Sequence, residues 1–377
     1  MELGGLMTNL PQHDKVDVRI LERVLGDQFI SLSYKIFWFK SLIGFVSKGE
    51  SVLRFQDIVY DMIASAWYMV TEYKLKLGYE DNLYKIIEYI SDTYKIPSTE
   101  TKANIINFLN TVNDKEINKK VNVLFIYVPY RFISPFYELI LRGAKESSKN
   151  LTIVNLIYND DRAIYRINLE KKEVIINGIW MEYIKENYNV LLGWTNYKLI
   201  NYLQKKNPNI PAIPFKLEPP YERNLATAKK YWNEIGNKMT LMDIYIGEEF
   251  TQENISKYGV MSIDHFIPWS FIMHDEMWNL LPSFKNINSS KSNLLPDMDS
   301  CFGRFCDLQY DAYKIASNNK GLSKILEDYL NIYTKEIDLN AAYNYKITKD
   351  EFQNCMRNTI YPLHQIAYNQ GFAIWKA

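Results

Sequence analysis

The chain has 377 residues, which suffices for two or three domains and a large buried core. Its 44 Lys and Arg residues balance 44 Asp and Glu residues, so any basic footprint for nucleic acid must be local. Three cysteines without paired CxxC motifs exclude a disulfide framework and a zinc tetrad, and they indicate reduced thiols in a cytoplasmic protein.

The first part of the chain, residues 1–114, is predicted to be helical. Apolar side chains recur at helical spacing from Phe29 to Leu42 and from Ile58 to Tyr73. A third such run, Leu83 to Tyr94, ends close to turn residues. The most apolar stretch, Phe29 to Val46, contains two lysines, so it indicates a buried helix rather than a membrane span, and no membrane partner is expected. No secretory signal is recognisable at the N-terminus.

Residues 115–220 are predicted to form a small mixed α/β region. Short alternating or β-rich runs predict strands, and Glu170–Glu173 predicts a hairpin turn between two of them. The helical pattern returns at Trp180–Gln204. A proline cluster from Pro208 to Pro220 marks the connection to the next domain. The predicted strands are Val121–Tyr127, Leu151–Ile157, Ala163–Leu169 and Val174–Ile176.

The last part, residues 221–377, contains side chains that suit phosphodiester hydrolysis. Asp264 directly precedes His265, and two asparagines follow His265 by 14 and 23 positions. Cleavage of a phosphodiester near neutral pH needs an activated water, and a cation to stabilise charge on the phosphate and the leaving oxygen. The carboxylate of Asp264 and an amide oxygen of Asn288 could bind Mg²⁺ or Mn²⁺. The imidazole of His265 suits a general base.

The order of these residues resembles the HNH, or ββα-metal, endonuclease family. The run Asp264–Ser270, the mid-motif Asn279 and the closing Asn288–Lys291 are similar to the HNH domains of RNA-guided CRISPR effector nucleases and of free-standing bacterial HNH proteins. Upstream, Tyr245–Glu248 resembles the YxGE element of that branch, in which a Cys often stands at the position of Asp243. This departure and the missing zinc cysteines place the chain among HNH domains that fold without structural zinc.

The resemblance implies a role for each of five residues. Asp264 and Asn288 would bind the divalent ion, and His265 would be the general base. Asn279 would brace the loop between strand and helix, and Lys291, one turn beyond Asn288, would reach the phosphate. The implied fold is a hairpin followed by a helix around one ion, within an α+β protein. The implied products have 5′-phosphate and 3′-hydroxyl ends, and the analogy suggests restriction of foreign DNA.

Three alternatives to these assignments remain open at the level of sequence. An Asp-His dipeptide alone is weak evidence for catalysis, because perturbed or paired groups are often structural. Asn279 could be an ordinary turn residue. Asn286 could replace Asn288 as the ligand, but residues two apart on a helix do not share a face, so only one of them can face Asp264.

Local charge gives a second indication of where nucleic acid would bind. The segment around the motif is acidic, whereas basic residues outnumber acidic ones just upstream of it. This upstream segment could contact phosphates, or it could be a solvated helical face. Its basic residues are Lys198, Lys205, Lys206, Lys216, Arg223, Lys229, Lys230 and Lys238.

The sequence therefore predicts a metal-dependent endonuclease whose partner is nucleic acid, with DNA as the expected substrate and antiviral defence as the expected role. An RNA-cleaving effector is an alternative, because no motif recognises a 2′-hydroxyl. A non-catalytic interaction protein is a second alternative, in which the HNH segment is a scaffold. In either case the N-terminal helical region could bind a protein partner or mediate self-association.

Overall fold

The described chain folds into two compact units. The computed structural model describes residues 10–158, 160–219, 224–319, 321–332 and 347–376. The N-terminal unit comprises Met1–Pro208 and Lys216–Pro219, and the C-terminal unit comprises Asn209–Phe215 and Pro220–Ala377. The helical region and the mixed region, which the sequence divided at residue 114, thus lie in one unit. The proline cluster lies where the two units meet along the chain.

The N-terminal unit is mainly helical, with one small sheet. Its α2 has four consecutive buried residues, as expected for a helix that is surrounded by protein on all sides. Its helices are α1 (Val18–Val24), α2 (Tyr34–Ser47), α3 (Phe55–Thr71), α4 (Asn82–Tyr94), α5 (Lys102–Thr111), α6 (Lys115–Ile133), α7 (Glu138–Leu141), α8 (Glu146–Ile157), α9 (Gly178–Glu186) and α10 (Tyr188–Lys206).

The sheet of this unit consists of β1 (Val52–Arg54), β2 (Tyr165–Asn168) and β3 (Glu173–Ile176). The strand order is β1-β3-β2, and all pairs are antiparallel. The hairpin predicted around Glu170–Glu173 is thereby confirmed, and β1 adds a short edge strand that the sequence did not predict.

Two predicted strands are wrong, because the structure forms helices there. Val121–Tyr127 lies inside α6, and Leu151–Ile157 lies inside α8. The buried side chains of α6 include Ile117, Val121, Leu124 and Val128, which recur every three or four residues. This helical period extends over a longer stretch than the local alternation, so burial of one helix face decides the conformation.

One stretch of the described residues, Lys115–Leu141, has the length and composition of a membrane-crossing helix, and 44% of its apolar window is buried. Within that stretch α6 packs against α2, α3 and α4. Such packing is typical of the core helix of a folded unit.

The C-terminal unit is built around a hairpin and the helix that follows it. Strands β6 (Met261–His265) and β7 (Leu280–Phe284) pair antiparallel, with His265 opposite Leu280. Its other strands, β4 (Met242–Asp243) and β5 (Glu248–Glu249), form a second hairpin. Its helices are α11 (Ala226–Gly236), α12 (Gln252–Tyr258), α13 (Trp269–Ile272), α14 (Lys285–Lys291), α15 (Met298–Ser317), α16 (Glu327–Leu330) and α17 (Lys349–Gln370).

Short 3-10 turns complete the secondary structure of the described residues. They are Asp27–Phe29, Ser134–Tyr137, Ile213–Lys216, Met277–Asn279 and Ser323–Leu326. In the C-terminal unit, α11 packs against both β6 and β7, and α14 contacts the same two strands. The central hairpin is therefore held by a helix from each side of it in the sequence. These elements give the α+β class that the sequence predicted.

Candidate active site of the C-terminal unit

The end of β6 sends two adjacent side chains to different surroundings. Asp264 and His265 are consecutive residues of this strand, and successive side chains of a strand point to opposite faces. Both are 5% exposed, so their surroundings determine their chemistry. Asp264 meets Tyr245 and the end of α14, whereas His265 meets the loop that follows α13.

Asp264 is held by two donors at the same carboxylate oxygen. Its Oδ2 accepts a hydrogen bond of 2.6 Å from the hydroxyl of Tyr245 and lies 3.0 Å from Nζ of Lys291. Burial, and then the charge of Asp264, raise the pKa of Tyr245 well above its usual value. The phenol therefore keeps its proton and remains a donor. Neither donor uses Oδ1, and no hydrogen bond to it is found within the described residues.

Lys291 is fully buried, and its ammonium group points into the protein. Besides the ion pair with Asp264, its Nζ donates a hydrogen bond of 2.7 Å to the backbone carbonyl of His265. The phosphate contact expected for Lys291 does not fit this geometry, because no exposed surface of the side chain remains. Lys291 is a positioning residue that fixes β6 against α14.

His265 is oriented by a carboxylate. Its Nε2 lies 2.7 Å from Oδ1 of Asp275, a residue of the loop between α13 and β7. A carboxylate at Nε2 favours the tautomer with its proton on that nitrogen and leaves Nδ1 as the acceptor. Nδ1 forms no hydrogen bond with any of the described residues. The ring can therefore accept a proton at Nδ1.

Asn279 closes the loop that follows β6. Its Oδ1 accepts a hydrogen bond of 2.8 Å from the backbone N–H of Ile267, and its Nδ2 donates one of 2.9 Å to the carbonyl of the same residue. The side chain of Asn279 is fully buried. The structure thus places it between β7 and the segment after His265, where it positions the loop without reaching the surface.

Asn288 faces β6, whereas Asn286 faces elsewhere. The Nδ2 of Asn288 donates hydrogen bonds of 3.1 Å to Oγ of Ser262 and to the carbonyl of Ile263. The exposed Asn286 instead lies beside Gly259, whose φ of +90° ends α12. Of the two asparagines, α14 therefore brings Asn288 to the strand that contains Asp264.

Asp243 anchors the hairpin that precedes the site. This fully buried carboxylate accepts hydrogen bonds from the backbone N–H of Tyr245 (2.8 Å), from Oγ of Ser283 (2.7 Å) and from the N–H of Phe284 (2.9 Å). It ties the turn between β4 and β5 to the end of β7 and thereby sets the position of Tyr245. The position where related domains often have a Cys thus bears a structural carboxylate here.

Comparison with known proteins agrees with this geometry over a limited part of the chain. Residues 243–297 match the family model described as HNH endonuclease. The chain contains an HNH-family domain. No curated protein and no solved structure matches the chain. This match confirms, for residues 243–297, the resemblance found in the sequence. An HNH endonuclease domain implies a nucleic-acid substrate.

The donor set of the HNH domain fits a hard divalent ion. Carboxylate and amide oxygens are suitable ligands for Mg²⁺, which also keeps several waters. Oδ1 of Asp264 is one such oxygen, and Oδ1 of Asn288, left over when Nδ2 bonds to β6, is the other. Among the described residues, no group of three or more His, Cys, Asp and Glu side chains could hold a metal ion. A metal ion bound in the HNH domain would therefore need the amide oxygen of Asn288 and water molecules as ligands besides the carboxylate of Asp264.

Three residues of this site were not assigned a role from the sequence. Tyr245, Asp275 and Asp243 each bond to another residue of the site, and they lie 19, 10 and 40 positions from their partners Asp264, His265 and Ser283. Two of them gave a signal: Tyr245 as part of the YxGE-like element, and Asp243 as the position where that branch often has a Cys. Asp275 gave no signal in the sequence, because its contact with His265 follows no spacing rule and forms only when the loop is folded.

We expect Asn279→Ala to destabilise the chain. The change leaves the N–H and the carbonyl of Ile267 without their buried partner, and each such loss costs about 1–3 kcal/mol. The free energy of unfolding should fall by about 2–4 kcal/mol in urea denaturation followed by circular dichroism.

The matched control is Asn286→Ala, which removes an exposed amide and should change stability by less than about 0.5 kcal/mol. Equal stability of the two variants would contradict the bracing role of Asn279.

Proposed function

We propose that the chain is a metal-dependent endonuclease that hydrolyses phosphodiester bonds in DNA, in the cytoplasm, as a defence against foreign DNA. The HNH domain supports nuclease activity on nucleic acid. The observation that supports catalytic competence is the arrangement at the end of β6: a carboxylate fixed by Tyr245 and Lys291 beside a histidine fixed by Asp275.

The proposed mechanism assigns separate tasks to the two faces of β6. A bound Mg²⁺ or Mn²⁺ ion would stabilise the charge that develops on the phosphate and on the leaving oxygen. Asp264 and Asn288 would hold the ion through their Oδ1 atoms. Tyr245 and Lys291 keep the Asp264 carboxylate in one orientation, and Lys291 at the same time fixes the backbone of His265.

His265 is the proposed general base. With Nε2 bonded to Asp275, Nδ1 takes the proton from the attacking water as its oxygen approaches phosphorus. Asp275 then stabilises the imidazolium, as a carboxylate does for a catalytic histidine. The water oxygen would form the new bond to phosphorus while the bond between phosphorus and the 3′ oxygen breaks. The 3′ oxygen would then take a proton from water, which leaves the 5′-phosphate and 3′-hydroxyl ends that the family resemblance implies.

Asp275 also lines a cavity that could receive the substrate. The cavity has a volume of about 560 Å³ and is lined in addition by Lys230 of α11 and by Lys324. Both lysines are exposed. We propose that they contact backbone phosphates beside the scissile bond, since such contacts position nucleic acid irrespective of sequence.

The basic residues noted upstream of the motif are divided between the two units. Lys198, Lys205, Lys206 and Lys216 belong to the N-terminal unit, and Lys216 is fully buried. Arg223 lies outside the described residues. Of the remaining three, Lys230 lines the cavity beside Asp275.

We expect His265→Ala to lower the cleavage rate by about 10²–10⁴-fold, because a general base contributes that much. Purified protein would be assayed on plasmid, single-stranded DNA and RNA with Mg²⁺. Thermal stability and DNA binding of the variant should match the wild type. Activity within a few-fold of wild type would refute the assignment of His265.

The same assay separates the alternative functions. Cleavage of RNA but not DNA by the wild type would favour an RNA-cleaving effector. An absence of cleavage on every substrate would favour a non-catalytic protein in which the N-terminal helical unit binds a partner or a second copy.

Metal dependence distinguishes the two asparagines of α14. EDTA should abolish cleavage, and Mg²⁺ or Mn²⁺ should restore it. Asn288→Ala should raise the Mg²⁺ concentration needed for half-maximal activity by at least about tenfold, as the loss of an oxygen ligand predicts. Asn286→Ala is the control and should leave it unchanged. A larger effect of Asn286→Ala would mean that Asn286 is the ligand.

The cavity lysine has a matched control on its own helix. Lys230→Ala should weaken DNA binding uniformly across sequences and should reduce the slope of log K against log salt by about 1. Lys229→Ala removes an exposed lysine that does not line the cavity. The DNA affinity and the salt slope of this variant should equal those of the wild type. Equal effects of the two changes would argue against a phosphate contact by Lys230 in the cavity.

A further inference from the structure

The N-terminal unit contains a cavity lined by apolar side chains and by two cationic ones. Its volume is about 390 Å³, which is within the range of small-molecule sites. Val123, Leu124 and Val128 of α6 supply apolar lining. Lys35 of α2 and Arg131 of α6 line the same cavity and are its positively charged residues. Glu80 also lines it, but its carboxylate pairs with Lys85, 3.0 Å away.

Lys35 is a half-buried cation that has no counter-ion among the residues the structure describes. Among the described residues no carboxylate lies within ion-pair distance of its Nζ, which instead lies 5.8 Å from the ring centroid of Phe29. Burial, and then the charge of Arg131, lower the pKa of Lys35 to about 8. A partly desolvated charge of this kind destabilises a fold unless it is paired, so its presence in a cavity points to an anionic ligand.

Arg131 is the second cationic side chain of the cavity. Its guanidinium bonds to Glu146 and to Asn150 and lies 5.8 Å from the ring centroid of Tyr127. A neighbouring cavity of about 280 Å³ shares Arg131 and is lined further by Arg142, Lys149 and Glu138, whose carboxylate pairs with Arg23. The positive charge of Arg131 is thus not cancelled by Glu146 alone, because Lys149 pairs with the same carboxylate.

We propose that this cavity binds a small phosphate monoester that also has a planar ring, with a mononucleotide as the fitting size and charge. A phosphate monoester has a charge of about −1.5 to −2 near pH 7, which matches Lys35 and Arg131 together. The ring of Tyr127 is 46% exposed and lines the cavity, so it offers a surface on which a base can stack. The apolar lining from α6 covers the remainder of the ligand.

The test is calorimetric titration of the full-length protein with AMP in EDTA. EDTA prevents binding through a metal ion at the HNH domain, so the result does not depend on the proposed nuclease function. AMP should bind. Adenosine, which lacks the phosphate, and inorganic phosphate, which lacks the ring, should each bind at least about tenfold more weakly when titrated separately.

Two variants test the two halves of the site. Lys35→Met should weaken AMP binding at least about tenfold and should raise the melting temperature of the ligand-free protein, because an unpaired buried charge is removed. Tyr127→Ala should weaken AMP binding while leaving phosphate binding unchanged. The control, Lys48→Met, replaces the exposed lysine directly after α2 and should change neither quantity.

Absence of AMP binding would overturn the proposal, and so would equal AMP affinity of wild type and Lys35→Met. Binding of inorganic phosphate as tightly as AMP would overturn the claim that the ligand has a ring.

Discussion

The buried contact between Asp264 and Lys291 is the constraint on which the site depends. A carboxylate and an ammonium removed from water need each other and further hydrogen bonds, since an unpaired charge there is costly. Lys291 must therefore reach Asp264, which brings the end of α14 against β6, and Tyr245 must supply its hydroxyl from the turn between β4 and β5. Three segments distant in sequence thus meet at one carboxylate oxygen.

The same logic explains why Asp243 can stand where related domains often have a Cys. Its two carboxylate oxygens together accept hydrogen bonds from three backbone N–H groups, those of Tyr245, Ile246 and Phe284, and from one serine hydroxyl. A buried carboxylate so fully satisfied fixes the turn that presents Tyr245 without any metal–thiolate bond. The orientation of Asp264 therefore depends on Asp243 through Tyr245, although the two carboxylates do not share a hydrogen bond in the described structure.

The sequence predicted the hairpin–helix core, because the family motif spans these elements in a fixed order, and the candidate residues Asp264, His265, Asn279 and Asn288 lie within it. It failed where local pattern and tertiary burial disagree, as in the Val121–Tyr127 stretch of α6. It also gave no role to Asp275, since the contact of that loop residue with His265 arises only after the loop has folded. For Lys291 it predicted a phosphate contact, whereas burial directs the ammonium inward.

The inward position of Lys291 changes how a chain of zero net charge would bind a polyanion. Its ammonium group pairs with the carboxylate of Asp264, so it cannot offset the repulsion between the phosphates of a nucleic acid and the acidic segment around the site. Screening limits the reach of more distant charges to about 8–10 Å at physiological salt. In the proposed mechanism the compensating charge would come from a bound ion and from lysines that line the cavity beside Asp275, namely Lys230 and Lys324. Binding of substrate should therefore depend on the metal ion as well as on these lysines.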